Sequence, residues 1–227
     1  MQNLGSRYDF HTHTTLSDGT LLPVALIQEA ENMGYAALGI ADHVDASNLE
    51  NVIKPLVKVE KELKNFLSLK FIPGVEISYM PANLIETYCR KAKKLGAKLI
   101  IVHGQSPSEP AVPRWTNSIA VKLKGIVNIL AHPGYIKEED VIAAAQNGIF
   151  LELSAKPSHK EGNNHVASFA KKHGAKLIVN TDAHNEQQLI TQEQAFNVAK
   201  DAGLSEEEAL IVVRDNPKEL LRKIGYL

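Results

Sequence analysis

Apolar positions along this chain follow two rhythms. Short runs of strand-like composition recur in RYDFHTH, YAALGIADH, LKFIPGVEIS, AKLIIVHG, IVNILAHPG, IFLELSA and AKLIVNTDAH, and they predict seven β-strands. Between most of them apolar residues fall three and four apart, as at Leu26, Ile27, Ala30 and Met33, or at Ile53, Leu56, Val57 and Leu63. That spacing gathers side chains on one face of a helix. Gly34, Gly96, Gly125, Gly148 and Gly174 each stand just before a strand run, where a left-handed helix end is expected. The resulting order is βαβα throughout.

Strands buried on both faces and joined by helices imply a parallel sheet, either open and doubly wound or closed as a barrel. Residues 191–225 read as two or three further helices ending in NPKELLRKIGYL, with Pro217 suited to a first helical turn. No linker, repeat or low-complexity segment interrupts the 227 residues, and their 44% hydrophobic content supports one core. The expectation is one domain spanning 1–227, with helices 191–225 packed on it. No glycine-rich phosphate loop of the GxGxxG or GxxxxGK[ST] type occurs.

Charge narrows the partners. Twenty-five Lys and Arg nearly balance 26 Asp and Glu, for a formal net charge of −1, so no basic excess attracts long nucleic acid or anionic membrane. A small-molecule substrate is the simpler reading. The single cysteine, Cys89, permits no intrachain disulfide and leaves almost no material for thiolate ligation. The opening MQNLGSRYDF lacks an apolar signal core, and runs such as KLIIVHG are too short to span a bilayer. Cytoplasmic residence is expected; oligomeric state is not legible.

Against this ordinary background the polar residues are placed unusually. Nearly every predicted strand ends in a metal-binding side chain: His11 and His13, His43, Glu76, His103, His132, then Asp182 and His184. In parallel α/β barrels the C-terminal strand ends build the active site, so these residues would converge on one rim. His11 and His13 are two apart, as are Asp182 and His184, and on a strand such pairs share a face. A single histidine is usually a core or surface residue. Ligand-type residues at so many strand ends are hard to obtain that way.

Other polar residues have competing readings. Asp18, in TTLSDGT, is ordinary turn chemistry before a glycine, although its loop leaves the ligand-bearing rim. Asp9 lies deeper; it could orient a ligand imidazole or make a simple interior hydrogen bond. Lys156 and His159 follow the sixth strand, either as substrate-binding groups or as solvated loop residues. His165 at a helix start and His173 at a helix end read as structural.

Taken in order, FHTHTTLSDG, ADH, GVE, VHG, LAHPG and NTDAH resemble the PHP family of polymerase and histidinol phosphatase domains over essentially the whole chain. The resemblance implies an α/β fold, a distorted seven-stranded (β/α)7 TIM-like barrel, and a site for two or three divalent ions. It implies that His11, His13, Glu76 and Asp182 hold one ion, and that Glu76, His103 and His132 hold a second with Glu76 bridging. Asp18, His43 and His184 would hold the third, which raises Asp18 from turn residue to ligand. Some relatives carry histidine at the position of Asp18, and arginine near Lys156.

The chemistry that follows is hydrolysis of a small phosphate ester by metal-activated hydroxide, with Asp18, His43, Asp182 and His184 in the catalytic set. Three dications against the carboxylates of Asp18, Glu76 and Asp182 leave the site positive, which suits an anionic substrate. A ligand set of nitrogen and oxygen without sulfur fits zinc, manganese or iron. A monoester is favoured over a diester. Histidinol-phosphatase-like activity, a nucleotide phosphodiesterase or nuclease, and a noncatalytic metal-stabilised module are the alternatives.

Overall fold

The computed structural model describes residues 3–227, and Met1 and Gln2 lie outside the described residues. All seven expected strands form: β1 (Arg7–Thr12), β2 (Tyr35–Ile40), β4 (Lys70–Ile77), β5 (Leu99–His103), β6 (Ile129–Ala131), β7 (Phe150–Ser154) and β8 (Leu177–Asn180). A two-residue strand, β3 (His43–Val44), adds a short pairing beside β4. Every pairing is parallel, in the order β1-β2-β4-β5-β6-β7-β8.

The sheet curls into a barrel that nearly closes. Between β8 and β1 there is no continuous ladder, only an isolated bridge from Thr12 to Ala183. Hydrogen bonds there are improvised: Asp182 N donates to His11 O at 2.9 Å and His13 N to Ala183 O at 2.8 Å. Lower down, the Asn180 carboxamide oxygen accepts from Phe10 N at 3.0 Å. The seam is therefore tied mainly at the rim where the site lies.

Helices wrap the outside: α1 (Pro23–Asn32), α2 (Leu49–Leu63), α3 (Ile85–Lys94), α4 (Thr116–Ala120), α5 (Glu138–Asn147) and α6 (Asn163–His173). The predicted glycines all take left-handed φ, from 64° at Gly148 to 105° at Gly96. Leu26, Ile27 and Ala30 are fully buried as expected, whereas Met33 is 40% exposed because α1 ends one residue before it. Cys89 turns inward from α3 and is fully buried. The C-terminal segment gives α7 (Gln192–Asp201), α8 (Glu206–Leu210), a π-helical turn (Ile211–Asp215) and α9 (Asn216–Ile224), with Pro217 in the first turn of α9. No described helix is long and apolar enough to cross a membrane.

Strand alternation layers the barrel interior. On β5, Leu99 and Ile101 point inward and His103 ends the row, while Ile100 and Val102 face the helices. On β4 the inward row begins with Ile72 and ends at Glu76; on β7 it begins with Phe150 and continues to Glu152. Phe10, Ile129 and Ile178 complete an apolar floor, which Leu220 and Leu221 of α9 join from below. Apolar side chains thus fill the N-terminal half of the barrel. Its C-terminal half is left to polar ones.

Candidate metal centre

The strand ends do converge. His11 and His13 approach with ring centroids 4.9 Å apart, and both reach Glu76 and Asp182. His11 Nε2 lies 3.3 Å from Glu76 Oε1, and His13 Nε2 lies 3.0 Å from Asp182 Oδ1. His132 Nε2 is 3.7 Å from Glu76 Oε1, and the His103 and His132 rings are 4.6 Å apart. His43 Nδ1 comes within 2.7 Å of Glu76 Oε2. Glu76 is the hub, buried completely at the middle of the group.

His132 reaches this centre by a backbone device. Ile129 and Ala131 face the barrel interior, so alternation would send the next side chain outward. At φ 25° the His132 backbone leaves the strand conformation and the ring enters the site instead.

Asp18, His43 and His184 form a more open group with His13. Asp18 Oδ2 lies 3.2 Å from His184 Nε2 and 3.7 Å from His43 Nε2. Its loop is folded by Asp42, which accepts from Thr14 N and Thr14 Oγ1 at 2.6 and 2.7 Å and from Ser17 Oγ at 2.7 Å. A Cβ at Gly19 would come within 2.4 Å of the His13 carbonyl oxygen, so the turn can pass this close only with glycine there. The turn and the ligand-like placement of Asp18 are one arrangement.

Neighbouring acceptors fix how the rings present themselves. Glu152 Oε2 accepts from His11 Nδ1 at 2.8 Å, and the Asp182 carbonyl accepts from His184 Nδ1 at 2.9 Å. Ser78 Oγ donates to Glu76 O, so it accepts from His43 Nδ1 at 2.7 Å. Each bond commits Nδ1 as the donor, so that Nε2 of His11 faces Glu76 and Nε2 of His43 and His184 face Asp18. Glu152, held in turn by Asn180 Nδ2 at 2.8 Å, was not singled out in the sequence. A carboxylate inside the apolar run IFLELSA was the available signal.

Asp9 does not take that orienting role. It pairs with Arg7 at 2.8 Å and accepts from the backbone N–H groups of Thr181 and His11 at 3.2 and 3.3 Å, touching no imidazole. Of its two readings the interior hydrogen bond holds, because Asp9 lies in the seam where β8 and β1 lack a ladder. His159 is not a solvated loop residue: it is 5% exposed and stacked on His132 with centroids 4.1 Å apart. Lys156 Nζ reaches Asp182 Oδ2 at 2.9 Å. His165 bonds the Ile136 carbonyl at 2.7 Å and His173 bonds Glu138 at 2.6 Å, both away from the cluster.

The electrostatics are those of a crowded, dry site. Burial disfavours charge on Glu76, yet His11, His103 and His43 overcome it and hold the carboxyl well below its usual range. Asp182 is also pulled well down against its burial, chiefly by His13 and His11. Burial and the neighbouring His43 take His13 down to about 3, and burial with His103 depresses His132. At His11 burial is outweighed by Glu152 and Glu76, which raise its pKa well above the ordinary value.

Buried polar atoms are almost always hydrogen-bonded. Here His11 Nε2, both nitrogens of His13, both oxygens of Glu76, His103 Nδ1 and both nitrogens of His132 are buried without a hydrogen-bond partner. They lie near one another but off hydrogen-bonding angles, as lone pairs aimed at a common centre do. Grouped donor atoms here fall within 4.8 Å of one another, close to two metal–nitrogen bonds of about 2.1 Å end to end. The clusters suit a multinuclear metal site.

The profile of the PHP domain matches residues 9–182. The chain belongs to the PHP domain family. With these clusters it is a metal-dependent hydrolase of the PHP type. An uncharacterized protein of Methanocaldococcus jannaschii is 39% identical over 219 residues, covering 96% of this chain and 100% of that one. A probable phosphatase of Thermoanaerobacter sp. is 29% identical over 248 residues, 96% of each chain. Ribonuclease P protein component 3 of Methanosarcina mazei is 23% identical over 231 residues, 95% of this chain and 89% of that one. Histidinol phosphate phosphatase of Lactococcus lactis, solved with zinc, L-histidinol and phosphate, shares the fold at TM-score 0.65 and 17% identity, over 88% of this chain and 95% of that one.

Proposed function

We propose that this PHP protein hydrolyses a small phosphate monoester at a site for two or three divalent ions, zinc, manganese or iron. The observation that carries the reading is the set of buried, unpartnered nitrogen and oxygen atoms meeting around Glu76. His11, His13, Glu76 and Asp182 hold one ion, Glu76, His103 and His132 a second, and Asp18, His43 and His184 a third. Ions bound there supply Lewis acidity at the phosphoryl oxygens and acidify water.

The protein's own groups prepare that chemistry. The depressed pKa values of Glu76 and Asp182 keep both carboxylates ionised at neutral pH. Glu152, Ser78 and the Asp182 carbonyl hold three imidazoles in the orientation described. Lys156 brings a cation to the rim, where it can leave Asp182 for a substrate phosphate as a point charge. His159 is lowered in pKa by burial and fixed through Nδ1 to Ser108 at 2.8 Å, so its neutral ring turns Nε2 toward the cluster.

A balanced charge of −1 and the likeness to a probable phosphatase along 96% of both chains support a small monoester. The test is elemental analysis of the purified protein, paired with hydrolysis of an aryl phosphate monoester and diester before and after chelation. Two or three ions per chain and chelator-sensitive, monoester-preferring turnover are expected. Preferential diester cleavage would move the assignment to a phosphodiesterase, and a metal-replete protein inert to both would overturn it.

A further inference from the structure

Backbone strain marks more of this rim than the ligands. Among the described residues, four that are not glycine hold a left-handed φ: Tyr79 at 55°, Trp115 at 73°, His132 at 25° and Asp182 at 54°. Bulky side chains rarely adopt that region, and where they do the strain tends to serve a site. His132 and Asp182 belong to the histidine cluster. Tyr79, after β4, sets its ring 5.2 Å from that of His103 and donates its hydroxyl to Glu109 at 3.0 Å. Trp115, in the loop after β5, is 60% exposed, and core packing gives no reason for it.

Trp115 lines a cavity of about 330 Å³ together with Gln105, Arg114, Tyr135 and Lys137, a volume within the range of small-molecule sites. Two of its walls are aromatic, since Tyr135 is also 56% exposed. Lys137 Nζ lies 4.6 Å from the centroid of the Trp115 ring, and Arg114 adds a second cation to the lining. The lining thus sets two aromatic rings beside two cations and one carboxylate, Asp140, which Ser118 Oγ engages at 2.7 Å, while Lys137 also reaches Glu139 at 3.4 Å.

It is also joined to the histidine cluster. Asn117 accepts from Gln105 N at 2.8 Å and donates to Pro133 O at 3.1 Å. One side chain thus ties the loop two residues past His103 to the loop one residue past His132. A Cβ on Gly134 would sit 2.8 Å from Ser106 Cα, so the same loops interlock backbone to backbone. Gln105 lies no more than about 7 Å of extended chain from His103, and Tyr135 no more than about 11 Å from His132.

We propose that this cavity is a specificity subsite for the base of a nucleoside phosphate, whose ester is presented to the histidine cluster. The inference rests on the phosphoesterase reading above and names its substrate class. Heteroaromatic bases stack on aromatic side chains through their faces, and Trp115 and Tyr135 offer such surfaces. Arg114 and Lys137 complement the negative charge that a nucleotide carries beside its base. The Gln105 carboxamide offers both a donor and an acceptor to a base edge. An aliphatic phosphate would leave the aromatic faces and the carboxamide unused.

Trp115 is the one tryptophan in the chain, so its fluorescence reports on this cavity alone. Adenosine, which has no ester to hydrolyse, should change that fluorescence saturably in the metal-loaded protein, and glycerol should not. The ratio of kcat/KM for adenosine 5′-monophosphate over glycerol phosphate should fall about 10- to 100-fold in Trp115→Ala and be largely restored in Trp115→Phe. Phe66→Ala, which removes an 83% exposed ring before β4 at the opposite end of the barrel, should keep the wild-type ratio. Hydrolysis of both esters with no fluorescence change and an unaltered ratio in Trp115→Ala would overturn the subsite and leave the phosphoesterase reading standing. A saturable response to adenosine with neither ester hydrolysed would support base binding and overturn the phosphoesterase reading.

Discussion

The inner and outer halves of the histidine cluster are built from the same residue types in different surroundings. His11, His13, Glu76, His103, His132 and Asp182 are buried, whereas the side chains of Asp18, His43 and His184 are 54%, 22% and 16% exposed. Inside, water cannot satisfy the donor atoms and charges act on one another at low dielectric. Outside, water screens the charges and competes for the same atoms. The inner ions should therefore be held tightly and be part of the structure, and the outer ion should exchange.

Removing the hub is the most severe way to break this contrast. Glu76→Gln should lower kcat/KM by about a thousandfold or more, as expected when several kcal/mol of metal-borne stabilisation is lost, and elemental analysis should find both inner ions lost. Retention of both inner ions in that variant would remove Glu76 from its central place.

A smaller effect is expected one contact further out. Glu152→Gln keeps the shape of the side chain but replaces the carboxylate that accepts from His11 Nδ1. Metal affinity or activity should fall about 10- to 100-fold, the usual result of changing a ligand's supporting partner. Isothermal titration of the chelated protein would measure it, and unaltered affinity would make Glu152 a packing residue only.

Asp18→Asn sharpens the comparison from the exposed side. It should cost one ion per chain and about tenfold in kcat/KM while the two inner ions remain. Loss of all three ions together would show that the halves are not separable.

The mildest test uses acid on the chelated protein. His13 is held down to about 3 by burial and by His43, so from pH 6.5 toward 3 the unfolded chain takes up a proton that the folded chain refuses. Stability is lost as pH falls across that window, at up to about 1.4 kcal/mol per pH unit. His11 acts in another window: its raised pKa contributes stability that is complete below 6.5 and lost as pH rises through the raised value. Melting temperature from pH 6.5 to 4 should decline less steeply in His13→Asn than in wild type; equal slopes would contradict the burial of a neutral His13.

Strand periods and helix faces made the parallel α/β order legible, because both reflect burial that each residue carries in its own type; closure of the sheet into a barrel was implied only by the family resemblance. The sites at strand ends were legible for the same reason: a histidine or carboxylate that closes one apolar run after another is costly to bury unless it binds something there. What escaped depends on contacts between distant segments. The orientation of His132 needs a left-handed φ that alternation does not predict, and Asp9 serves a seam visible only once β8 meets β1. Asp42, which folds the Asp18 loop, looked like part of a strand end. Trp115 stands in SPSEPAVPRW, where no period relates it to the cavity it lines.

The most direct test is anomalous diffraction from crystals of the metal-loaded protein, recorded on both sides of the metal's absorption edge. The account predicts two strong peaks flanking Glu76, within bonding distance of His11, His13, His103, His132 and Asp182, and a weaker third among Asp18, His43 and His184. Peaks only at the surface, or none around Glu76, would contradict it.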